Sequence, residues 1–204
     1  MSGEETETRI IRAFLTLAAS RGMAAVTTRD IARAAGVNEV TIFRRFGDKA
    51  SLALAAVRRF QPVDAIAAHR PVIDTTSPNR CLAGISSCLL MLYQQMVSHP
   101  ELLQFGLADA AHHPHLLDEI RQVPDAARLM ITDALRQAAP RLRPDVDIDV
   151  EVLGLLGLLL LLATWHSRRW LNLSDDEVSG MFVARLRPLL RGRPGRGTIN
   201  RRDP

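Results

Sequence analysis

Five side chains between positions 39 and 45 have the chemistry needed to contact a nucleic acid. They are predicted to face outward from one short helix: Glu39, Val40, Thr41, Arg44 and Arg45. A threonine hydroxyl can bond a phosphate or a base edge, and an arginine can hold guanine through two hydrogen bonds or bind a phosphate. Val40 can pack on a thymine methyl group. Lys49 begins the next helix, where its ammonium and the helix N-terminus can both address a phosphate.

Two short helices joined by a turn must position this group, and the segment Thr27–Phe46 has the residues for them. Thr27 and Asp30 form an acidic variant of a capping box. Gly36 can adopt a positive φ at the turn without a Cβ clash. Three apolar residues are expected to fill the wedge between the helices: Ile31, Val37 and Ile42. This ordered combination favours a helix-turn-helix over the alternative, a small helical bundle with an exposed basic face.

Positive charge is concentrated in the first quarter of the chain and in its extreme tail. The 204 residues have a formal net charge of +4 and a pI near 10.0. The range Arg9–Phe60 holds ten basic and three acidic residues, whereas residues 61–191 hold twelve basic and fifteen acidic ones. A basic module on a near-neutral body is the pattern expected of a nucleic-acid-binding protein.

Helical periodicity runs along the whole chain, and the alternation typical of strands is not convincing anywhere. The sequence therefore predicts an all-α fold in which a three-helix helix-turn-helix head joins a larger helical-bundle body. The expected divisions are a DNA-binding domain (1–48), a dimerisation and effector-binding domain (49–191) and a flexible basic tail (192–204). The predicted helices cover residues 6–21, 28–34, 39–45, 49–60, 78–98, 101–111, 115–139, 146–170 and 175–190. Pro124 is expected to break or bend the helix over 115–139.

The chain is expected to be cytoplasmic, without a membrane partner. Its longest apolar run, Val152–Trp165, has fourteen residues, whereas a spanning helix needs about 20. The acidic N-terminus lacks the apolar stretch of a signal peptide. Cys81 and Cys88 lie on one helical face and are expected to be buried small hydrophobic residues.

The segment from Arg9 to Val57 resembles the DNA-binding head of the TetR family of bacterial transcription regulators. The matching residues are Phe14, Gly22, Thr27, Thr28, Arg29, Asp30, Ile31, Ala32, Ala35, Gly36, Val37, Thr41, Ile42, Phe43, Phe46, Lys49 and Leu52. The resemblance implies contacts to phosphates or bases from Thr28, Arg29, Thr41, Phe43, Arg45 and Lys49.

Three positions depart from the family pattern. Phe43 stands where the family usually has tyrosine, so that the hydrogen bond of a hydroxyl to a phosphate is lost. Arg45 stands where histidine is common, and it keeps a donor while adding a permanent charge. Val40 stands where a small residue is frequent, which narrows the set of readable bases.

The resemblance also implies a homodimer that binds double-stranded DNA at a near-palindromic operator. Symmetric half-sites one helical turn apart need a two-fold protein. The two C-terminal helices, over 146–170 and 175–190, are predicted to form the dimer interface, the alternative being burial of the first inside one subunit. The residues behind this prediction are Val178, Phe182 and Leu186, spaced at four-residue steps, and Gly154 and Gly157, which permit close approach.

A pocket in the body for an unknown small-molecule effector is implied as well. Its candidate lining residues are Met91, Tyr93, Met96, Phe105, Trp165 and His166. A methionine and aromatic stripe at helical spacing is more often plain core, which is the alternative. The histidines at 112, 113 and 115 are expected to lie in a surface loop, and neither a metal site nor a cofactor is predicted.

The predicted function is a sequence-specific DNA-binding transcription regulator, a repressor released by its effector. Two alternatives remain, a helical enzyme and a protein-interaction module without DNA binding. The chain has no Ser-centred elbow, Gly-rich phosphate loop or His-Glu metal motif to favour the enzyme. The arginine bias of the head argues against the interaction module.

Overall fold

The computed structural model describes residues 3–109 and 113–191, and this part of the chain is helical, without a named strand. In chain order its α-helices are α1 (Gly3–Arg21), α2 (Thr28–Ala35), α3 (Glu39–Phe46), α4 (Lys49–Phe60), α5 (Val63–Ala68), α6 (Pro78–Val97), α7 (Pro100–Asp109), α8 (Pro114–Ala138), α9 (Ile148–Ser167) and α10 (Asp175–Leu186). Short 3-10 helices cover Met23–Ala25, Ala139–Arg141 and Arg187–Leu189. The predicted all-α fold is confirmed. The predicted tail (192–204) lies outside the described residues.

Local sequence signals set the starts of the helices in the first part of the chain. The Thr27 side chain accepts the Asp30 backbone N–H, and the Asp30 carboxylate accepts the Thr27 backbone N–H, which is the predicted capping box. The side chains of Asn38 and Asp48 accept backbone N–H groups at the starts of α3 and α4. Ser77 caps α6 in the same manner. These bonds satisfy donors that a helix N-terminus otherwise leaves unpaired.

Two helices bear on the sequence-based expectation. Helix α8 continues through Pro124, so of the two expected outcomes, a break or a bend, the break does not occur. A proline inside a helix removes one backbone hydrogen bond, and the apolar contacts of Val123, Ala126 and Ala127 with the body core hold the helix at this point. Helix α5 was not predicted; it begins after Pro62 and buries Ile66 in the body core.

The first four helices share one hydrophobic core. Its buried members from α1 to α3 include Ile10, Ile11, Phe14, Leu15, Ala18, Ile31, Ala32 and Ile42. Helix α4 contributes Leu52, Ala53, Ala56 and Val57 to the same core, so the core extends past the expected domain boundary at position 48. We therefore use "head" for α1–α4 and "body" for α5–α10. Phe105 of α7 and Leu116 of α8 also enter the head core, which packs head and body together.

Helix α10 corrects one expectation about the dimer interface. Val178, Phe182 and Leu186 are buried inside their own subunit, where α10 packs on α6. A four-residue repeat defines a helical face but not the surface that covers it. These three side chains are core residues, and an interface on this helix has to use its other face.

Helix α9 is apolar on both its inner and its outer face, as the sequence indicated. Helix α9 has 20 residues and contains a window with a mean hydropathy of 2.0, and 28% of that window is buried inside the subunit. By length and composition alone, α9 could cross a membrane. The uninterrupted apolar run of fourteen residues is shorter than the helix that contains it. The core helix of a soluble protein meets the same criterion, and α9 packs on α6, α7 and α8. Its outer face leaves Val150, Leu153 and Leu161 exposed.

Replacing Gly36 by alanine should lower the free energy of unfolding by about 1–2 kcal/mol, because a Cβ at positive φ clashes with the backbone. Gly36 has φ 62° and ψ 41°, and no other group lies within 4 Å of an added Cβ, so the loss reports backbone strain alone. Urea denaturation measures it. The matched variant Gly36→Asn should lose less, since asparagine tolerates the left-handed region. Equal losses for the two variants would contradict this explanation.

Candidate nucleic-acid interface

The turn between α2 and α3 fixes the direction in which α3 leaves the head. Gly36 takes the left-handed conformation, and its N–H donates to the carbonyl groups of Ala32 and Arg33. Below the turn, Ile31 and Ile42 are fully buried. Ile42 is the buried residue of α3, so this helix is held along its inner side and its opposite side is left uncovered.

The uncovered side of α3 carries the side chains that the sequence analysis selected. Val40 is 68% exposed and Phe43 is 49% exposed. Arg44 and Arg45 are exposed as well, whereas Thr41 is half-buried. Exposed apolar groups beside two arginines are unfavourable in water alone, but they suit a surface that meets base edges and methyl groups in a DNA groove.

A hydrogen bond that the sequence did not reveal joins the first turns of α2 and α3. The Thr28 hydroxyl donates to Oε1 of Glu39. Asn38 caps α3 at the same place by accepting the Val40 N–H at 2.9 Å. The hydrogen bond from Thr28 holds the Glu39 carboxylate at the start of α3. A carboxylate at this place can accept a hydrogen bond from a cytosine amino group. Thr28 and Glu39 therefore form one polar unit rather than two separate candidates.

Lys49 has a structural role in addition to the predicted phosphate contact. Its Nζ donates to the carbonyl oxygens of Met23 and Val26, each at 2.8 Å. These carbonyls belong to the segment between α1 and α2, so the ammonium ties the start of α4 to that segment. A lysine ammonium has three N–H donors, and one beyond these two bonds is left for a phosphate. The sequence missed this role because the partners lie 26 and 23 residues earlier in the chain.

The Asp30 carboxylate, which lies near this surface, is kept ionised by local hydrogen-bond partners. The hydroxyl and backbone N–H of Thr27 lower the pKa of Asp30, and Arg33 adds to the effect. Asp30 thus stays available as a helix cap near neutral pH, and it partly neutralises Arg33. Arg29, on the same helix, is exposed, so its positive charge is presented to solvent.

A second candidate site is a cavity of about 340 Å³ in the body. It lies between the end of α4 and helices α5 to α9, and its wall is mostly aliphatic. The lining residues are Val57, Phe60, Gln61, Pro62, Ile66, Leu92, Gln95, Met96, His99, Leu102, Leu103, Gly106, Leu107, Ile120, Val123, Pro124, Ala127, Leu156, Gly157, Leu159 and Leu160. The volume is within the range of small-molecule sites, about 300–1,000 Å³.

The six residues predicted to line a pocket do not come together. Met96 lines the cavity. Phe105 is fully buried and stacks edge-on against Phe14 of the head, with ring centroids 5.5 Å apart, so it is a packing residue. Met91 packs against the body core, and Trp165 lies partly exposed on α9. A stripe pattern along the sequence does not tell a cavity wall from ordinary core, because the two differ in their packing partners.

Tyr93 and His166 form a polar pair away from that cavity. The Tyr93 hydroxyl lies 2.9 Å from Nδ1 of His166. Burial, followed by the charge of Asp175, raises the pKa of Tyr93, which keeps the hydroxyl protonated. His166 also lines a second surface cavity with Arg169 and Asn172. The pair joins α6 to α9 and satisfies a buried hydroxyl.

The head geometry defines the class of protein. A short helix stands out from a helix-turn-helix with threonine and arginine on its free side, and a basic surface surrounds it. Such an arrangement places a recognition helix in a DNA major groove. The comparisons with known proteins agree with this class. Residues 10–56 match the family model described as bacterial regulatory proteins, tetR family.

Three relatives illustrate the similarity over longer stretches. The chain is 24% identical to the HTH-type transcriptional regulator YvkB of Bacillus subtilis, over 64% of this chain and 66% of that protein. It is 29% identical to the HTH-type transcriptional repressor KstR2 of Mycobacterium tuberculosis, over 81% of this chain and 83% of that protein. Its fold is similar to that of NalD from Pseudomonas aeruginosa, with a TM-score of 0.69 at 17% identity, covering 94% and 100% of the two chains.

The family match over residues 10–56 identifies the start of this chain as a DNA-binding domain of the tetR type. The chain is a DNA-binding transcription regulator, and its class is that of transcription factors rather than enzymes. The resemblance found in the sequence is thereby confirmed, whereas the individual DNA contacts and effector contacts remain predictions.

Replacing Lys49 by methionine should lower the free energy of unfolding by about 1–2 kcal/mol, because two carbonyl groups lose a charged donor. Urea denaturation of the free protein measures the loss. The control Arg45→Met removes an exposed positive charge from the same surface and should change stability by no more than about 0.5 kcal/mol. A Lys49→Met protein that is as stable as the wild type, and weakened only in DNA binding, would show that Lys49 does not anchor α4.

Proposed function

We propose that this regulator is a repressor: two copies bind one near-palindromic operator, and a small-molecule effector releases them. The observation that carries the proposal is the uncovered side of α3, where Val40 and Phe43 are exposed beside Arg44 and Arg45. Val40 and Phe43 on this side remain exposed to solvent in the single subunit. This side matches the donors, acceptors and methyl groups of a DNA major groove.

The proposed contacts divide into base readers and phosphate contacts. Base edges are proposed to meet Glu39, Val40, Thr41 and Arg44, which begin α3 or lie on its outer side. Phosphates are proposed to meet Thr28, Arg29, Phe43, Arg45 and Lys49, with Phe43 contributing van der Waals contact in place of a hydroxyl. Phosphate contacts fix the register of the protein on DNA, whereas base contacts select the sequence.

The proposed dimer interface is the outer face of α9 together with the outer face of α10. The large hydrophobic side chains exposed there are Val150, Leu153, Leu160, Leu161, Trp165 and Met181. Large apolar side chains exposed along one helix mark an interaction site on a soluble protein. TetR-family repressors act as dimers, and a two-fold protein is what a near-palindrome requires. A second copy of this chain is therefore the proposed occupant.

The cavity in the body is proposed as the effector site. Val57, Phe60 and Gln61 at the end of α4 form part of its wall, while Lys49 at the start of α4 is tied to the head. A molecule in the cavity therefore contacts α4, the helix that extends from the head core to the cavity wall. Binding that favours a different placement of α4 would lower the population able to bind DNA. Helix α4 thus links the DNA-contacting surface to the cavity through direct contacts at its two ends.

We also propose a cytoplasmic location, because its DNA target is there. The proposed division is a DNA-binding head, with α4 shared between the head core and the cavity, followed by a body for dimerisation and effector binding. A basic tail over 192–204, which lies outside the described residues, completes the proposed organisation.

Arg44→Ala should weaken binding to a specific site by roughly 5- to 100-fold, since a base contact of this type contributes about 1–3 kcal/mol. Fluorescence anisotropy at fixed salt, with DNA from the region upstream of the chain's own gene, measures it. The control Arg128→Ala removes one exposed positive charge from α8 of the body, so it should bind nearly as well as wild type. Equal weakening by the two variants would mean that only overall charge matters.

Leu153→Asp should convert the dimer to monomer, because it buries an unpaired charge in the proposed interface. Leu153 is 66% exposed in the single subunit, so the change is compatible with the subunit's own core. The matched control is Val72→Asp, at a position 85% exposed in the segment between α5 and α6. Analytical ultracentrifugation measures both masses. A dimer that survives Leu153→Asp would place the interface elsewhere.

A further inference from the structure

The cavity in the body is lined without any aspartate, glutamate, lysine or arginine side chain among the described residues. Three polar side chains interrupt its aliphatic wall, Gln61, Gln95 and His99. A charged ligand group would lose its hydration here with no opposite charge to replace it. The wall therefore suits an uncharged molecule that is mostly hydrocarbon and has few polar atoms.

Gln61 carries the most specific observation. Its Oε1 is buried and has no hydrogen-bond partner in the described part of the chain. Buried polar atoms in native proteins are nearly always paired, and an unpaired one calls for an explanation. Gln61 directly follows α4, where its backbone N–H donates to the carbonyl of Val57 at 2.9 Å, so the side chain is held at the cavity wall.

The neighbours of Gln61 determine which end of its amide is unpaired. Gln61 contributes to lowering the pKa of Glu119, as a donor near that carboxylate does, and an ionised carboxylate only accepts. The Gln61 amide must therefore present its NH2 group to Glu119, which leaves Oε1 as the acceptor. The hydrogen bond and charge of Arg58 lower the pKa of Glu119, so the carboxylate remains ionised and this orientation persists.

His99 lies on the same side of the cavity as Gln61. Its ring lies against Phe60, the residue before Gln61, with ring centroids 4.8 Å apart. Two of the three polar lining side chains, Gln61 and His99, therefore lie near the end of α4. Glu119 is already paired with Arg58, so that the pair offers no net charge to a ligand.

We propose that this site takes an uncharged, largely hydrocarbon molecule with a hydroxyl group, and that the hydroxyl donates to Oε1 of Gln61. The inference rests on the proposed function, in which this cavity is the effector site. Gln61 lines the cavity, and the terminal torsion of a glutamine side chain is broad, so a rotation that keeps the NH2 group near Glu119 can direct Oε1 to the bound hydroxyl. The ligand hydroxyl is then the hydrogen-bond donor that Oε1 lacks in the described part of the chain.

Three probes of one chain length separate the ligand classes: decanol, decanoate and decylamine. Isothermal titration calorimetry with the full chain, without DNA, should show decanol binding at least about 10-fold tighter than either charged probe, because each charge is desolvated without a partner. Comparable binding of decanoate or decylamine would overturn the proposal, and so would the absence of decanol binding.

Gln61→Leu tests the hydrogen bond itself. It should weaken decanol roughly 3- to 10-fold, the effect of one hydrogen bond. The control Gln122→Leu removes another glutamine amide, which donates to Glu119 at 2.9 Å but does not line the cavity, so it should keep the wild-type affinity. Gln61→Met serves as the second variant if Gln61→Leu does not fold. Unchanged decanol affinity in a folded Gln61 variant would overturn the proposal.

The proposed function has a separate readout. DNA binding by the same protein preparations is measured by anisotropy in the presence and absence of decanol. Decanol that binds with the expected Gln61 dependence but leaves DNA binding unchanged supports the assigned ligand chemistry and contradicts the effector role. Decanol that fails to bind, in a protein that still binds its operator, contradicts the ligand chemistry alone.

Discussion

The direction in which α3 leaves the head depends on the apolar wedge of Ile31 and Ile42 beneath a left-handed turn at Gly36. Both isoleucines are fully buried, and the turn is closed by the Gly36 N–H on the carbonyls of Ala32 and Arg33. Because only the inner side of this short helix is covered, its other side is available to DNA. A shift of the wedge would move every proposed base contact at once, since they share one rigid helix.

Helix α4 makes the body part of the same mechanical unit. Its first residue, Lys49, binds carbonyl groups between α1 and α2, and its middle lies in the head core. Near its end, Arg58 pairs with Glu119 of α8, and Gln61 follows at the cavity wall. A molecule that contacts this end acts on a helix whose two ends have specific partners in head and body. A continuous packed helix of this kind can carry coupling between two sites.

The sequence predicted what depends on neighbours a few residues away. The Thr27–Asp30 capping box and the turn at Gly36 were identified because their residue types and spacing are diagnostic by themselves. The partners of Lys49 and the wall of the cavity depend on packing between segments that are distant in sequence. No local sequence pattern therefore predicts them. The repeat at Val178 and Phe182 was assigned to an interface although it faces α6, because periodicity identifies a face but not its partner.

The central claim is that α3 reads a DNA sequence as part of a two-fold protein. The test is selection of bound fragments from a random double-stranded pool. The salt concentration is held fixed because non-specific binding varies steeply with salt. If α3 reads DNA in this way, two inverted half-sites should be strongly enriched. Their centres should lie about one helical turn apart, or a multiple of it. A recovered pool with the composition of the input, despite retention of DNA by the protein, would contradict it.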